Sequence, residues 1–220
     1  MGRMSEPATV VERVRTERGE LALRSCGDHY EIISNGVFLM DTRAGASERL
    51  LVRAALEAVG APARVLIGGL GVGFSVAEAA ASGRPSEIVV VEIEDALIGW
   101  HRRHLAPYSA HALDDPRVRV VADDLVGWLG RTRSTFDAIC LDTDNGPDWT
   151  VFDHNAELYG EPGLGLLRTR LNPGGVLAVW SAAASPGYAA RLASVVGPVT
   201  ELRVEVPRGE PDVIYLARRA

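Results

Sequence analysis

Acidic side chains stand at the ends of three apolar runs in this chain. Glu92 closes the run EIVVVE, Asp123 follows RVRVVA, and Asp142 closes FDAICLD, with Asp144 two places further on. An earlier apolar run, ARVLIG, leads instead into the glycine-rich segment GGLGVG. Carboxylates accept hydrogen bonds from hydroxyl and amino groups and attract cations, whereas glycines let backbone N–H groups approach a ligand closely. This combination predicts a site for a positively charged ligand that carries hydroxyl groups.

The glycine segment and Glu92 have the spacing of a nucleoside site. Gly69, Gly71 and Gly73 lie between a predicted strand and a predicted helix, and Glu92 follows Gly69 by 23 residues. An acid about 20 residues beyond such a loop is placed to accept hydrogen bonds from both ribose hydroxyls. Acids at the later strand ends would repel the pyrophosphate of a dinucleotide. An NAD-type oxidoreductase, which binds such a dinucleotide, would therefore not explain Asp123. We therefore predict S-adenosylmethionine or its decarboxylated form as co-substrate.

The elements that must position these residues alternate between strand and helix from residue 63 onward. The predicted strands are ARVLIG, EIVVVE, RVRVVA, FDAICLD, GGVLAVWS and the closing hairpin TELRVEVP and DVIYLARR. The predicted helices are Phe74–Ser82, Asp95–Leu105, Asp124–Gly130, about Asn155–Arg170, and Gly187–Val196. Continuous β-branched runs that alternate with helices predict an α/β fold, doubly wound around a mostly parallel seven-stranded sheet. The closing antiparallel hairpin favours the class I methyltransferase variant of this Rossmann-like architecture.

A smaller unit precedes this domain, and we place the boundary between residues 44 and 45. Residues 1–44 are predicted to form a floppy extension and a small antiparallel β unit, with a hairpin turn at Asn35-Gly36. Residues 45–220 are predicted to form the nucleoside-binding transferase domain. Its first helix is predicted over Ser47–Val59, with Ser47 as N-cap.

From about Tyr30 to Ser181 the chain resembles the spermidine synthase (polyamine aminopropyltransferase) family, a branch of the class I S-adenosylmethionine-dependent fold. The matching segments are VLIGGLGVG, VVVEIE, DDPRVRVVADD, FDAICLDTDNGP and LNPGGVLAVWS. The resemblance implies that the glycine loop and Glu92 hold the nucleoside and that Asp123 contacts adenine. It also implies that Asp142 lies beside the transferred group and the attacking amine, where it accepts the proton of that amine.

The chain also departs from the family pattern. Gly71 stands where the family has an aspartate that helps to hold the amine of the donor, and Leu39 stands where it has a glutamine. Of the family's YHE-like gate only Glu48 remains. Asp144 falls one place earlier than the family's second acid. We predict that it is catalytic together with Asp142 and that it holds the acceptor together with Glu48 and Tyr159.

Composition excludes several classes of protein. All 23 basic residues in the Lys+Arg count are arginine, so a P-loop and a lysine Schiff base are excluded. A net charge of −6 argues against a nucleic-acid partner. Cys26 and Cys140 form no CxxC pair, and His101, His104 and His111 are predicted to lie on a solvated helix, so we predict no metal. No apolar run reaches the length of a membrane span and the first residues resemble no signal peptide, which predicts a cytoplasmic protein.

The predicted function is an S-adenosyl-nucleoside-dependent transferase that alkylates a small, amine-bearing acceptor. Aminopropyl transfer is favoured, and methyl transfer from intact S-adenosylmethionine to a small molecule is the alternative. A non-catalytic homologue that binds the nucleoside or dimerises is the second alternative. The family resemblance also predicts a homodimer.

Overall fold

The structure, a computed structural model, describes residues 8–43, 45–60, 63–143, 145–150, 153–207 and 209–220. Its strands are β1 (Thr9–Thr16), β2 (Gly19–Cys26), β3 (His29–Ser34), β4 (Val37–Asp41), β5 (Ala63–Gly68), β6 (Pro85–Glu92), β7 (Val118–Ala122), β8 (Phe136–Leu141), β9 (Leu171–Ser181), β10 (Val199–Val204) and β11 (Asp212–Arg218). Its α-helices are α1 (Ala46–Val59), α2 (Phe74–Ala81), α3 (Asp95–Trp100), α4 (Leu125–Arg131), α5 (Ala156–Tyr159), α6 (Glu161–Arg170) and α7 (Pro186–Val195).

The larger sheet has seven strands in the order β10-β11-β9-β8-β5-β6-β7. The pairs among β5 to β9 are parallel, whereas β11 pairs antiparallel with both β9 and β10. Val65, Leu66 and Ile67 of the central strand are fully buried because helices cover both faces of the sheet. The predicted doubly wound, mostly parallel seven-stranded sheet with its closing hairpin is confirmed.

The order of the strands fixes where a ligand binds. β5 pairs with β6 on one side and with β8 on the other, so the chain reverses its direction of winding at β5. Ligands of such sheets bind outside the carboxyl ends of the strands at this switch point. The glycine loop follows β5, and the acids Glu92, Asp123 and Asp142 stand at the ends of β6, β7 and β8.

The N-terminal unit is a four-stranded antiparallel sheet in the order β1-β2-β3-β4. Asn35 and Gly36 both have positive φ, as the predicted hairpin turn requires. The prediction of a floppy start is wrong for residues 9–16, which form β1. The charged residues of β1 hide the strand pattern in the sequence. The strand is held instead by pairing with β2 and by side-chain contacts, such as the hydrogen bond from Trp100 Nε1 to Glu12 (2.9 Å).

Three helices differ from their predicted form. The helix predicted over 155–170 breaks at Gly160, whose extended backbone makes it the N-cap of a new helix that begins at Glu161 and has Pro162 in its first turn. The helix predicted over 95–105 changes at His101 into a π-helical turn that runs to Leu105. Ser47 is not the N-cap of α1: Gly45 is, and the Ser47 hydroxyl lies inside the first turn and donates to Asp212 (2.5 Å).

The N-terminal sheet packs over the carboxyl ends of the central strands. Leu21, Leu23 and Ile32 bury their side chains against α2 and α3, with Trp100 at the centre of the contact. Arg18 also ion-pairs with the buried Glu94 that follows β6 (2.7 Å). The N-terminal sheet therefore covers the ends of β5 and β6, and we call it the roof of the cleft between them. The domain boundary between residues 44 and 45 stays a prediction. Among the described residues no helix is long and apolar enough to cross a membrane.

We expect Leu23→Ala to lower the free energy of unfolding by about 2–5 kcal/mol, because it leaves a cavity among fully buried side chains. Urea denaturation measures this loss. Val37→Ala, at a position 62% exposed in the same sheet, is the matched control and is expected to change stability by less than about 0.5 kcal/mol. A small, equal effect of both substitutions would contradict the shared core. Two separate transitions would support an independently folding N-terminal unit.

Candidate active site

A cleft of about 1070 Å³, including the solvent at its mouth, lies between the strand ends and the N-terminal sheet. Its walls combine backbone of the glycine loop, apolar side chains of the N-terminal sheet and six acidic residues. The lining residues are Leu21, Ile32, Leu39, Met40, Glu48, Gly69, Gly71, Val91, Glu92, Ile93, Glu94, Leu97, Asp123, Asp124, Leu125, Asp142, Thr143, Asn145, Asn155 and Trp180. None of these is basic, so the described lining favours a ligand that carries positive charge.

The glycine loop is shaped by close contacts as well as by backbone conformation. Gly69, Gly71 and Gly73 all have positive φ, which L-residues with side chains rarely adopt. A Cβ on Gly69 would collide with the backbone carbonyl of Asp142. A Cβ on Gly73 would lie 2.7 Å from both His101 and Ser109. The loop therefore brings the end of β5 directly against the end of β8.

Glu92 is buried beside this loop. One of its carboxylate oxygens accepts from the N–H of Leu70 (2.9 Å), and the other accepts from the N–H of Glu94 (2.7 Å). Burial raises the pKa of Glu92, and the backbone N–H groups counter that rise. Each oxygen keeps a second lone pair, so the fixed carboxylate has acceptors for the two hydroxyls of a ribose.

Asp123 lies at the end of β7, where its N–H donates to the carbonyl of Glu92 (3.0 Å). Its carboxylate accepts from the N–H of Asp124 (2.9 Å) and pairs with Arg131 at the end of α4 (2.5 Å). Asp124 is the N-cap of α4 and accepts from the N–H of Gly127 (2.6 Å). Both acids line the cleft; each oxygen of Asp123 has a partner, whereas Oδ1 of Asp124 is buried without a hydrogen-bond partner among the described residues. The contact of Asp123 with adenine stays a prediction.

Asp142 follows β8 at the floor of the cleft. Its N–H donates to the carbonyl of Gly68 (2.9 Å), and its carboxylate accepts from the hydroxyl of Ser75 (2.8 Å). Burial raises the pKa of Asp142 to about 6, although the Ser75 hydrogen bond opposes the rise. Ser75 was missed in the sequence because a serine in the first turn of a helix has many ordinary explanations.

Glu48 enters the same end of the cleft from the first turn of α1. Burial, and then the charge of Asp142, raise the pKa of Glu48 to about 7. The two carboxyls therefore take up protons as one coupled pair. Asp212 at the start of β11 adds a third negative charge, and it accepts from Ser47 (2.5 Å) and from Trp180 Nε1 (3.2 Å).

The remaining predicted site residues are not all on the cleft wall. Tyr159 is buried in the core, with its hydroxyl 3.2 Å from Oγ1 of the cleft residue Thr143, so it stands one layer behind the surface. Asp144 lies outside the described residues. Trp180 at the end of β9, which is not among the predicted site residues, also lines the cleft. The catalytic and binding roles of these residues stay predictions.

The prediction of a solvated histidine helix is wrong for His101. This side chain is buried, and its Nε2 lies 2.9 Å from the carbonyl oxygen of Gly71. Burial lowers the pKa of His101, so the neutral ring donates from Nε2 and holds the glycine loop from below. His104 instead contacts Glu12 (2.8 Å), and His111 is exposed. The sequence does not reveal that His101 supports the glycine loop, because the apolar, buried positions around it have the ordinary spacing of a helix.

We expect His101→Phe to lower the free energy of unfolding by about 1–3 kcal/mol, because the Gly71 carbonyl loses its donor. Urea denaturation measures the loss. His101→Gln keeps an N–H donor of similar reach and is expected to recover part of it, and His111→Phe is the exposed control. If the Gln and Phe variants are equally destabilised, the hydrogen bond to Gly71 does not account for the stability that the His101 ring contributes.

We expect Glu48→Gln to stabilise the protein above neutral pH. The folded protein holds protons on Glu48 and Asp142 at pH values where the unfolded chain, with ordinary carboxyl pKa values, has lost them. The stability of the wild type therefore falls as the pH rises from about 4 toward 7. The variant should be more stable than wild type near pH 8, by on the order of 2 kcal/mol, and equal to it near pH 4.

Denaturation of both proteins across this pH range measures the difference. Glu57→Gln changes an exposed carboxyl on the same helix and is expected to leave the pH dependence as it is. A wild-type stability that does not fall between pH 4 and pH 8 would contradict the buried, coupled pair.

Comparison with known proteins identifies the family of this architecture. The model of the spermine/spermidine synthase domain matches residues 45–192. Polyamine aminopropyltransferase 2 of Pseudomonas aeruginosa is 33% identical over 169 residues, which are 72% of this chain and 46% of that protein. The polyamine aminopropyltransferase of Aeropyrum pernix is 30% identical over 152 residues, which are 64% of this chain and 46% of the relative. The matched part is thus less than half the length of either relative.

Solved structures show the same fold. A spermidine synthase in complex with the transition-state analogue AdoDATO superposes with a TM-score of 0.79 at 17% identity, covering 96% of this chain and 74% of the other. The spermidine synthase of Thermotoga maritima gives a TM-score of 0.77, also at 17% identity, over 96% of this chain and 73% of its own. With the domain match over residues 45–192, these findings confirm the resemblance seen in the sequence: the chain belongs to the spermine/spermidine synthase family.

Proposed function

We propose that this protein is an aminopropyltransferase, which moves the aminopropyl group of decarboxylated S-adenosylmethionine to a small amine. The observation that carries this proposal is the coupled carboxylate pair Glu48 and Asp142 in a cleft whose described lining has no basic side chain. Both substrates of such a transfer are cations, and a cation relieves the repulsion between the two carboxylates. Family membership supports the same reaction and argues against the NAD-type alternative.

The nucleoside part of the donor would be held where the glycine loop, Glu92 and Asp123 meet. The fixed carboxylate of Glu92 accepts the ribose hydroxyls, and Asp123 accepts the amino group of adenine. Leu39 and Met40 of the roof cover the ligand from the other side. The sulfonium then lies toward Asp142, whose negative charge favours it.

The transfer itself needs a free amine. The acceptor arrives as an ammonium ion, which has no lone pair, so its proton passes to the carboxylate of Asp142. The nitrogen lone pair then attacks the aminopropyl carbon next to sulfur, the C–N bond forms as the C–S bond breaks, and the bonding electrons stay on sulfur. The products are the alkylated amine and neutral methylthioadenosine. Because sulfonium is already a good leaving group, positioning supplies most of the remaining acceleration.

Glu48 would bind the acceptor rather than react. It shares the dehydrated end of the cleft with Asp142, and Asp144 is its predicted partner in holding the ammonium groups. Since the coupled pair loses its protons around pH 6 to 7, acceptor binding should improve as the pH rises through this range. A cytoplasmic location and a homodimer are further parts of the proposal that rest on the sequence.

One observation favours a second candidate, methyl transfer from intact S-adenosylmethionine. Gly71 replaces the aspartate that the family uses for the donor amine, and a Cβ at this position would lie 2.5 Å from the sulfur of Met40. The direct partner of the donor amine is therefore missing from the loop. Methyl transfer releases adenosylhomocysteine in place of methylthioadenosine.

We expect Asp142→Asn to slow the transfer by about 10²–10⁴-fold while nucleoside binding is retained, because the amide cannot accept the proton. Mass spectrometry of the nucleoside product, with each donor and a panel of di- and monoamines, measures turnover and identifies the transferred group. Calorimetry with methylthioadenosine measures binding. Asp95→Asn changes an exposed acid outside the cleft and serves as control.

Each outcome of this experiment decides between the candidates. Methylthioadenosine that depends on an amine acceptor supports aminopropyl transfer, and adenosylhomocysteine supports methyl transfer. Nucleoside binding without either product favours the non-catalytic homologue. Equal turnover of the Asp142→Asn variant and the wild type removes Asp142 from the reaction, and binding of neither donor overturns the proposal as a whole.

A further inference from the structure

The hairpin between β2 and β3 brings three metal-binding side-chain types together, away from the cleft. Cys26 and His29 pair directly across the two-residue turn Gly27-Asp28, in which Gly27 has φ +67°. Glu31 lies two residues beyond His29 and therefore on the same face of β3. The sulfur, a ring nitrogen and a carboxylate oxygen of these residues all lie within 4.8 Å of one another.

These three side chains are largely enclosed. The side chains of His29 and Glu31 are 13% and 16% exposed, and the Cys26 thiol hydrogen-bonds to Glu31. One oxygen of Glu31 is occupied by Arg24 (2.6 Å). The other oxygen faces the histidine ring, at 3.8 Å from Nε2. The strand pairing fixes this arrangement, because all three residues stand on paired strands next to a tight turn.

The two nitrogens of His29 have different surroundings. Nδ1 lies 3.4 Å from the carboxylate of Asp28, which favours a proton on Nδ1. Nε2 then carries a lone pair, it is buried, and it has no hydrogen-bond partner. A carboxylate oxygen of Glu31, which also offers lone pairs, lies 3.8 Å from Nε2. His29 Nε2 and the Glu31 oxygen are thus two electron-pair donors 3.8 Å apart, with the Cys26 thiol beside them. A cation between them would bind to both.

We propose that Cys26, His29 and Glu31 bind a divalent transition-metal ion of the zinc class. One sulfur, one imidazole nitrogen and one carboxylate oxygen form a ligand set that zinc accepts, with water in the fourth tetrahedral position. On binding, Cys26 releases its proton to solvent and becomes a thiolate, and no electron is transferred. Asp28 orients the ring from Nδ1, as carboxylates commonly do behind metal-bound histidines.

The charges around this site balance. The thiolate, Glu31 and Asp28 carry three negative charges, and Arg24 with the divalent ion carries three positive ones. Side chains alternate along β3, so Glu31 and its neighbour Ile32 point to opposite faces, and Ile32 lines the cleft. The metal would thus fasten the hairpin that roofs the cleft without taking part in the reaction. The proposed function and this site are independent of each other.

Cobalt(II) is the probe for the test, since a thiolate bound to it gives a charge-transfer absorption in the near ultraviolet. The full chain is stripped of metal with a chelator, dialysed and titrated with Co²⁺ and then with Zn²⁺. We expect a saturable band at one ion per chain that Zn²⁺ displaces. Cys26→Ser should abolish the band, because the other thiol, Cys140, is buried in the core.

Two further variants separate this site from incidental binding. Asp28→Asn keeps all three ligands and is expected to weaken the affinity by about 10–100-fold. His111→Ala removes an exposed histidine that stands beside Asp114 and is expected to change nothing. Should Cys26→Ser fail to fold, as thermal denaturation would show, His29→Gln takes its place. No saturable binding of either ion, binding without the thiolate band, or equal loss in the His111 variant overturns the proposal.

Discussion

The site depends on two carboxylates, Glu48 and Asp142, that share one dehydrated corner of the cleft. Each loses hydration there, and the charge of one opposes ionisation of the other. The Ser75 hydroxyl that donates to Asp142 offsets only part of this cost. The corner is therefore a weak point of the fold above neutral pH. A cationic ligand would relieve this repulsion, since no basic residue stands among the described residues that line the cleft.

The two halves of the cleft are joined by backbone contacts, which explains why glycines are needed where they stand. The N–H of Leu70 in the glycine loop donates to Glu92. A side chain on the neighbouring Gly69 would collide with the carbonyl of Asp142 and would separate β5 from β8. His101 supports the same loop from below. A shift of the loop would therefore move Glu92 and Asp142 together.

The parts of the fold that follow from local pattern were predictable from the sequence. Continuous apolar runs located the strands of the larger sheet, and the acids at their ends located the cleft, because parallel strands end at one edge. The partners of those acids were not predictable, since Ser75, Arg131 and Asp212 reach the site through tertiary contacts that no spacing records. β1 was missed because strand pairing and ion pairs, not an apolar pattern, hold it. The break at Gly160 was missed because a helical apolar pattern continues across it. The cluster of Cys26, His29 and Glu31 was missed because the cysteines and the helical histidines were considered separately, whereas strand pairing brings these three side chains together.

For the proposed transferase, the charge of the whole cleft bears on the choice between the two donors more than any single residue does. Intact S-adenosylmethionine brings a carboxylate, and at an effective dielectric constant of about 20 each carboxylate 4 Å away opposes it by about 4 kcal/mol. The described lining holds Glu48, Glu92, Asp123 and Asp142 and no basic side chain to compensate. Replacement of the family's aspartate by Gly71 removes one attraction for the donor amine, yet it adds no cation for a donor carboxylate. We infer that this replacement lowers affinity for the decarboxylated donor without reversing the preference for it.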